Sequence, residues 1–165
     1  PRRDSVGGKR GTRCPPHRPA TVRVVLDTNV IVSGLLWGGS PRRLLDLARQ
    51  NAITPYTSAV LLDELSEVLA REKFAVPLAA HGLTPNGILR GYAALAQTIA
   101  PPPIAPTVPT DADDDAIIAC ALAAKASLIV TGDRDLLVLH PFQEIAILNP
   151  AAALQILTGT NSTPV

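Results

Sequence analysis

Acidic residues in this chain recur where apolar runs end or helical ones begin. The run Val22, Val24, Val25, Leu26 stops at Asp27, followed by Thr28 and Asn29. The pattern Leu61, Leu65, Val68, Leu69 carries Glu64. Asp111, Asp113, Asp114 and Asp115 open the apolar stretch from Ile117 to Leu122, and Leu128, Ile129, Val130 lead through Thr131 and Gly132 to Asp133. Carboxylates that converge in a cleft repel one another unless a divalent cation sits between them, and hard oxygen ligands suit Mg²⁺ or Mn²⁺. Read together, the four stretches are expected to form one divalent-metal site, of the kind a metal-dependent nuclease would use.

Each acid also has an ordinary explanation. Asp in a first helical turn complements the helix dipole, worth about 0.3–1 kcal/mol at an exposed site. Asp111 suits that capping role, and Asp113 gains no assignment. Four acids within five residues exceed what capping asks for, because like charges repel, so at least one of Asp114 and Asp115 is expected at a metal. Glu64, beside Asp63 and near Glu67, would alone be read as part of a solvated helix face.

The elements that must position these residues follow from periodicity. A buried β-branched strand is expected at 22–27, a loop at 37–41 and a helix at 42–50, with Leu44, Leu45 and Ala48 inward. A short strand at 53–56 is interrupted by Pro55. Thr57 or Ser58 caps a helix carrying positions 61, 65, 68 and 69. A loop and then a helix to Gln97 follow, and the Pro-rich stretch 101–109 reads as a surface connector. The acidic helix runs to Lys125, strands are expected at 127–131 and 145–148 around a helical turn at 135–138, and Asn149-Pro150 starts a terminal helix to Leu157. Strands alternating with helices predict a three-layer α/β/α domain with a central parallel sheet. In such sheets ligands gather at the carboxyl ends of the strands, so Asp27 and Asp133 should face one cleft.

At 165 residues the chain makes one domain with a sizeable core. Aromatic residues are 3% of it, so Ala, Leu, Ile and Val must build that core. The net charge of +1 conceals a basic segment, with Arg2, Arg3, Lys9, Arg10, Arg13 and Arg18 against Asp4 alone. Residues 1–21 are expected to be a disordered basic arm, 22–157 the folded domain, and 158–165 a disordered tail. The arm lacks the apolar core of a secretory signal, and the absence of Met leads us to expect a processed or truncated chain, or one that starts elsewhere than at its first residue here. No apolar run approaches the roughly 20 residues of a membrane span. Cys14 and Cys120 suggest neither a disulfide framework nor zinc, which fits a reducing, cytoplasmic setting. His17, His81 and His140 are isolated.

Other chemistries that use strand-end carboxylates find less support. Phosphoryl transfer to an Asp in the haloacid dehalogenase manner needs a second Asp two residues on, where Asn29 stands. The receiver-domain pattern needs an acidic pair after its first strand and a Lys after its last. Neither is in the right place. A phosphatase is therefore disfavoured, and a non-catalytic interaction module would have no reason to concentrate repelling charge.

The segments VVLDTNVIVSG at 24–34, SAVLLDELSEVL at 58–69, DADDDAIIACAL at 111–122 and SLIVTGDRDLL at 127–137 resemble the PIN domain family in order and separation. Its members include VapC-type toxins of bacterial toxin–antitoxin pairs. The resemblance implies hydrolysis of RNA with Mg²⁺ or Mn²⁺, with Asp27, Glu64 and Asp133 as the first, second and fourth acids. The third is Asp115 by spacing to Thr131, or Asp114 by the D-x-D-D pattern of a closer subgroup. Thr28, Asn29 and Thr131 look like the polar groups that orient carboxylates or an attacking water. Asp27, Asp133 and the 114/115 carboxylate would hold the ion, and Glu64 would complete the set or take the proton. Arg42, Arg43 and Arg134 are candidate phosphate contacts. The resemblance further implies a homodimer, expected around Leu44, Leu47 and Leu69, and a small antitoxin covering the acidic cleft.

Overall fold

The computed structural model describes residues 21–108 and 112–159. The basic arm with Cys14 and His17, the capping role of Asp111 and the tail from residue 160 lie outside the described residues. The chain alternates strands and helices: β1 (Val22–Leu26), α1 (Thr28–Leu36), α2 (Gly39–Arg49), β2 (Ile53–Ser58), α3 (Ala59–Leu69), α4 (Ala75–Ala80), α5 (Pro85–Leu95), β3 (Gln97–Ile99), α6 (Ala112–Ala124), β4 (Leu128–Val130), α7 (Arg134–Leu137), β5 (Ala146–Leu148) and α8 (Pro150–Leu157). Among the described residues the five strands form one sheet whose pairings are all parallel, in the order β3-β2-β1-β4-β5. This is the expected α/β fold. Among the described residues no helix is long and apolar enough to cross a membrane.

Strand periodicity sends alternate side chains to opposite faces of the sheet. Val24, Leu26, Leu128 and Val130 join one core with residues of α1, α2, α3, α5 and α8. Val25, Ile129 and Ile147 join another, beneath α6, with Cys120 buried in it. Ser58 and Asn149 cap α3 and α8 through their side chains. Ile147 N–H donates to His140 Nδ1, which gives that histidine a structural role.

Several local expectations are corrected. Helix α1 begins directly after Asp27, where no helix was anticipated; it buries Val30, Ile31, Val32 and Leu36, too many faces for an amphipathic stripe. Helix α2 begins at Gly39, directly after Gly38 and inside the stretch expected to be a loop. β2 passes through Pro55, which is tolerable because β3 pairs only from Tyr56 onward, leaving the flank beside Pro55 open. Residues 97–99 form the edge strand β3, not the end of a helix. The connector before α6 is not wholly on the surface, since Val108 is buried and Ile104 packs against the same core. Leu44 and Leu69 lie inside the protein's own core and cannot form a dimer face. One apolar opening on that side is a groove of about 470 Å³ between α1, α2 and α5, lined by Ile31, Leu35, Leu83, Ile88 and Tyr92 among others.

Candidate active site

The strand order places the topological switch between β1 and β4. Their connections leave in opposite directions there, opening a crevice at the carboxyl ends. Leu26 is in register with Val130, so the residues that follow, Asp27 and Thr131, leave the sheet side by side. Asp27 N–H donates to Val130 O at 3.0 Å and Thr131 N–H to Leu148 O at 3.0 Å, extending the ladder past both strand ends.

Side chains complete the junction. Thr131 Oγ1 donates to Asp27 Oδ2 at 2.7 Å and accepts the Asp133 N–H at 3.0 Å, so one hydroxyl fixes both acids. The Asp27 carbonyl accepts from the amides of Val30 and Ile31 and starts α1. Asp27 is only 5% exposed. Burial is the main reason its pKa is raised above 3.8, the negative charge of Asp133 adds to the rise, and the Thr131 hydroxyl and the amides of Asn29 and Thr28 oppose it. Asp133 itself is exposed, and its Oδ1 accepts the Asp135 N–H at 2.8 Å at the start of α7.

The other acids approach from helices. Helix α6 joins two parallel strands, so it must run back against them and start at their carboxyl edge. In its first turn Asp114 is buried, 6% exposed. Asp115 turns elsewhere: its Oδ1 accepts the amides of Thr107 at 3.0 Å and Val108 at 2.8 Å. Neither partner could be found from side-chain patterns, since both donors are backbone amides. Glu64 is half-buried on α3, which starts where β2 ends and also touches α6. Thr28 is buried and Asn29 exposed.

Thus the structure brings Asp27, Thr131 and Asp133 together. Among the described residues, no three acidic side chains are gathered closely enough to enclose an ion as they stand. The donor chemistry nonetheless fits a hard divalent cation. The carboxylate of Asp27 is buried beside a second negative charge, and a cation removes both penalties on its ionised form. Of the candidate cations, Arg134 follows Asp133 and is exposed. Arg42 is exposed on α2, whereas Arg43 lines a depression with Leu154 and Thr158 toward the end of α8 remote from the strands' carboxyl ends.

Comparison with known proteins agrees with this architecture. An uncharacterized protein of Methanocaldococcus jannaschii is 35% identical over 122 residues, 72% of this chain and 76% of its own length. Among solved structures, that of VapBC2 from Rickettsia felis, bound to a DNA fragment from their promoter, has a similar fold. It aligns with a TM-score of 0.51 at 17% identity, covering 78% of this chain and 98% of that one. The sequence pattern of the PIN domain matches residues 23–135, a span that includes Asp27, Glu64, Asp114 and Asp133, and the chain therefore belongs to the PIN domain family.

Proposed function

We propose that this protein is a divalent-metal-dependent endoribonuclease and the toxin of a type II toxin–antitoxin pair. The observation that carries the reading is Asp27, a buried carboxylate held by Thr131 at the switch point of the sheet, with Asp133 close enough to raise its pKa. Packing alone gives no reason to bury an acid there. A cation would turn an unfavourable group into a ligand.

On this reading Asp27, Asp133 and one carboxylate from the start of α6 hold Mg²⁺ or Mn²⁺. When bound, the ion would make a water more acidic and offset negative charge on the phosphodiester. Thr131 keeps the Asp27 carboxylate oriented, Thr28 and Asn29 support that end of β1, and Glu64 accepts the proton of the attacking water or completes the ligand set. Arg134 and Arg42 are the proposed phosphate contacts.

The partners proposed with it are RNA as substrate, a second copy of the chain, and a small antitoxin. The antitoxin would cover the acidic cleft and place a guanidinium against the carboxylates in the cation's stead. Its binding should therefore weaken as Mg²⁺ is raised. A chain of the VapBC2 structure shares this fold, which makes such a partner worth seeking.

The test is cleavage of structured RNA by the purified chain with Mg²⁺, with Mn²⁺ and with chelator, beside the Asp27→Asn variant. Metal-dependent cleavage lost in that variant supports the reading, and parental cleavage by a folded Asp27→Asn protein overturns it. Arrest of growth on expression, relieved by a small partner, supports the toxin role. Cleavage without arrest would leave an RNA-processing nuclease. No cleavage or metal binding at all would leave an interaction module.

A further inference from the structure

We infer that Asp115 is a positioning residue that ties the Pro-rich strap 101–108 to α6, and that Asp114 is the carboxylate α6 gives to the metal. The inference rests on the metal-dependent reading above. Its basis is the different use the fold makes of two adjacent, chemically identical side chains.

Successive residues of a helix project about 100° apart, so neighbouring acids cannot both serve one ion from the same face. Asp115 Oδ1 accepts two backbone amides, Thr107 N–H at 3.0 Å and Val108 N–H at 2.8 Å. Charge-assisted bonds of this kind are stronger than neutral ones. The strap has its own apolar anchors, because Val108 is buried and Ile104 packs beside the core under α6. Together they secure the chain entering α6 to the helix's own first turn. Asp114 points into the protein, 6% exposed, at the helix end that lies on the carboxyl edge of the sheet with Asp27 and Thr131.

The division of labour predicts opposite responses to one isosteric change. Asparagine keeps a carbonyl oxygen that can accept both amides but loses the charge a cation needs. Asp115→Asn should therefore preserve the strap and the site, Asp115→Ala should lose the strap, and Asp114→Asn should lose the ligand.

The experiment titrates the full chain and the three variants with Mn²⁺ alone, followed by electron paramagnetic resonance, and measures amide exchange at Thr107 and Val108. Asp115→Ala should weaken Mn²⁺ binding roughly 10–100-fold, the usual effect of losing a group that supports a ligand, with Asp115→Asn within about threefold of the parent. Asp114→Asn should reduce binding at least as much as Asp115→Ala, with strap exchange unchanged. Exchange at Thr107 and Val108 should quicken at least about tenfold in Asp115→Ala and stay slow in Asp115→Asn. Equal loss of Mn²⁺ affinity in Asp115→Asn and Asp115→Ala would overturn the assignment, because the charge rather than the acceptor would then matter. Parental Mn²⁺ affinity in Asp114→Asn would overturn it as well. A parent chain that binds no Mn²⁺ would remove the metal reading and the positioning role with it, while fast exchange at both amides in the parent would remove the strap alone.

Discussion

Thr131 and Asp27 stand 104 residues apart in sequence and share a hydrogen bond of 2.7 Å from hydroxyl to carboxylate, both side chains buried. The bond closes the gap between the ends of β1 and β4, and the same hydroxyl accepts the amide of Asp133. One threonine thus sets the position of two acids.

Thr131→Val keeps the shape and removes the hydroxyl. A hydrogen bond to a charged group contributes about 1.5–3 kcal/mol, so unfolding in urea without divalent ions should show a loss of that order at neutral pH. Thr131→Ser should recover most of it. Equal stability of all three proteins would show that the bond contributes nothing.

Asp27 supplies a pH signature. Its folded pKa is raised above the ordinary value of 3.8, chiefly by burial, so the folded state holds the proton more tightly than the unfolded chain does. Its contribution to stability is then full below 3.8 and lost as pH rises through the raised value. Without metal, Asp27→Asn should melt higher than the parent at neutral pH, and the gap should close as pH falls into the ordinary carboxylate range. Mn²⁺ should stabilise the parent and not the variant. A gap that widens toward low pH would contradict the proposed burial of charge.

Gly34 lies where α1 meets α2. A Cβ there would stand 2.8 Å from Leu45 Cδ1 and 2.9 Å from the Pro41 backbone. Leu45 could turn aside, but the backbone cannot do so without shifting α2. Gly34→Ala should therefore cost about 1–3 kcal/mol in urea unfolding, the usual range for overpacking. Because α1 begins at Asp27, weaker Mn²⁺ binding is expected alongside.

Cys120 is fully buried beneath the sheet, and burial pushes its thiol up to about 11. In a Cys14→Ser background it should resist a disulfide reagent at pH 7.5, reacting at a rate that follows unfolding rather than reagent concentration. Prompt second-order labelling of the native protein would place Cys120 elsewhere.

Much of this architecture was legible in the chain because it depends on neighbours in sequence. The β-branched runs before Asp27 and Thr131 pointed to strands, Asn149 with Pro150 announced α8, and the α/β alternation implied a parallel sheet with Asp27 and Asp133 at its carboxyl edge. The PIN resemblance added the order of the acidic segments. Other features depended on partners far away. Helix α1 is apolar on nearly every face, so it has no period to read, and only packing on the sheet makes it a helix. β3 is a three-residue edge strand, Gln97, Thr98 and Ile99, whose ladder comes from β2 rather than from its own composition. Leu44 and Leu69 carried no mark distinguishing a core position from an interface. The sharpest limit is at Asp114 and Asp115, identical in type and adjacent in sequence. Only the folded chain brings the amides of Thr107 and Val108 to one of them and buries the other, because backbone donors leave no trace in a sequence of side chains.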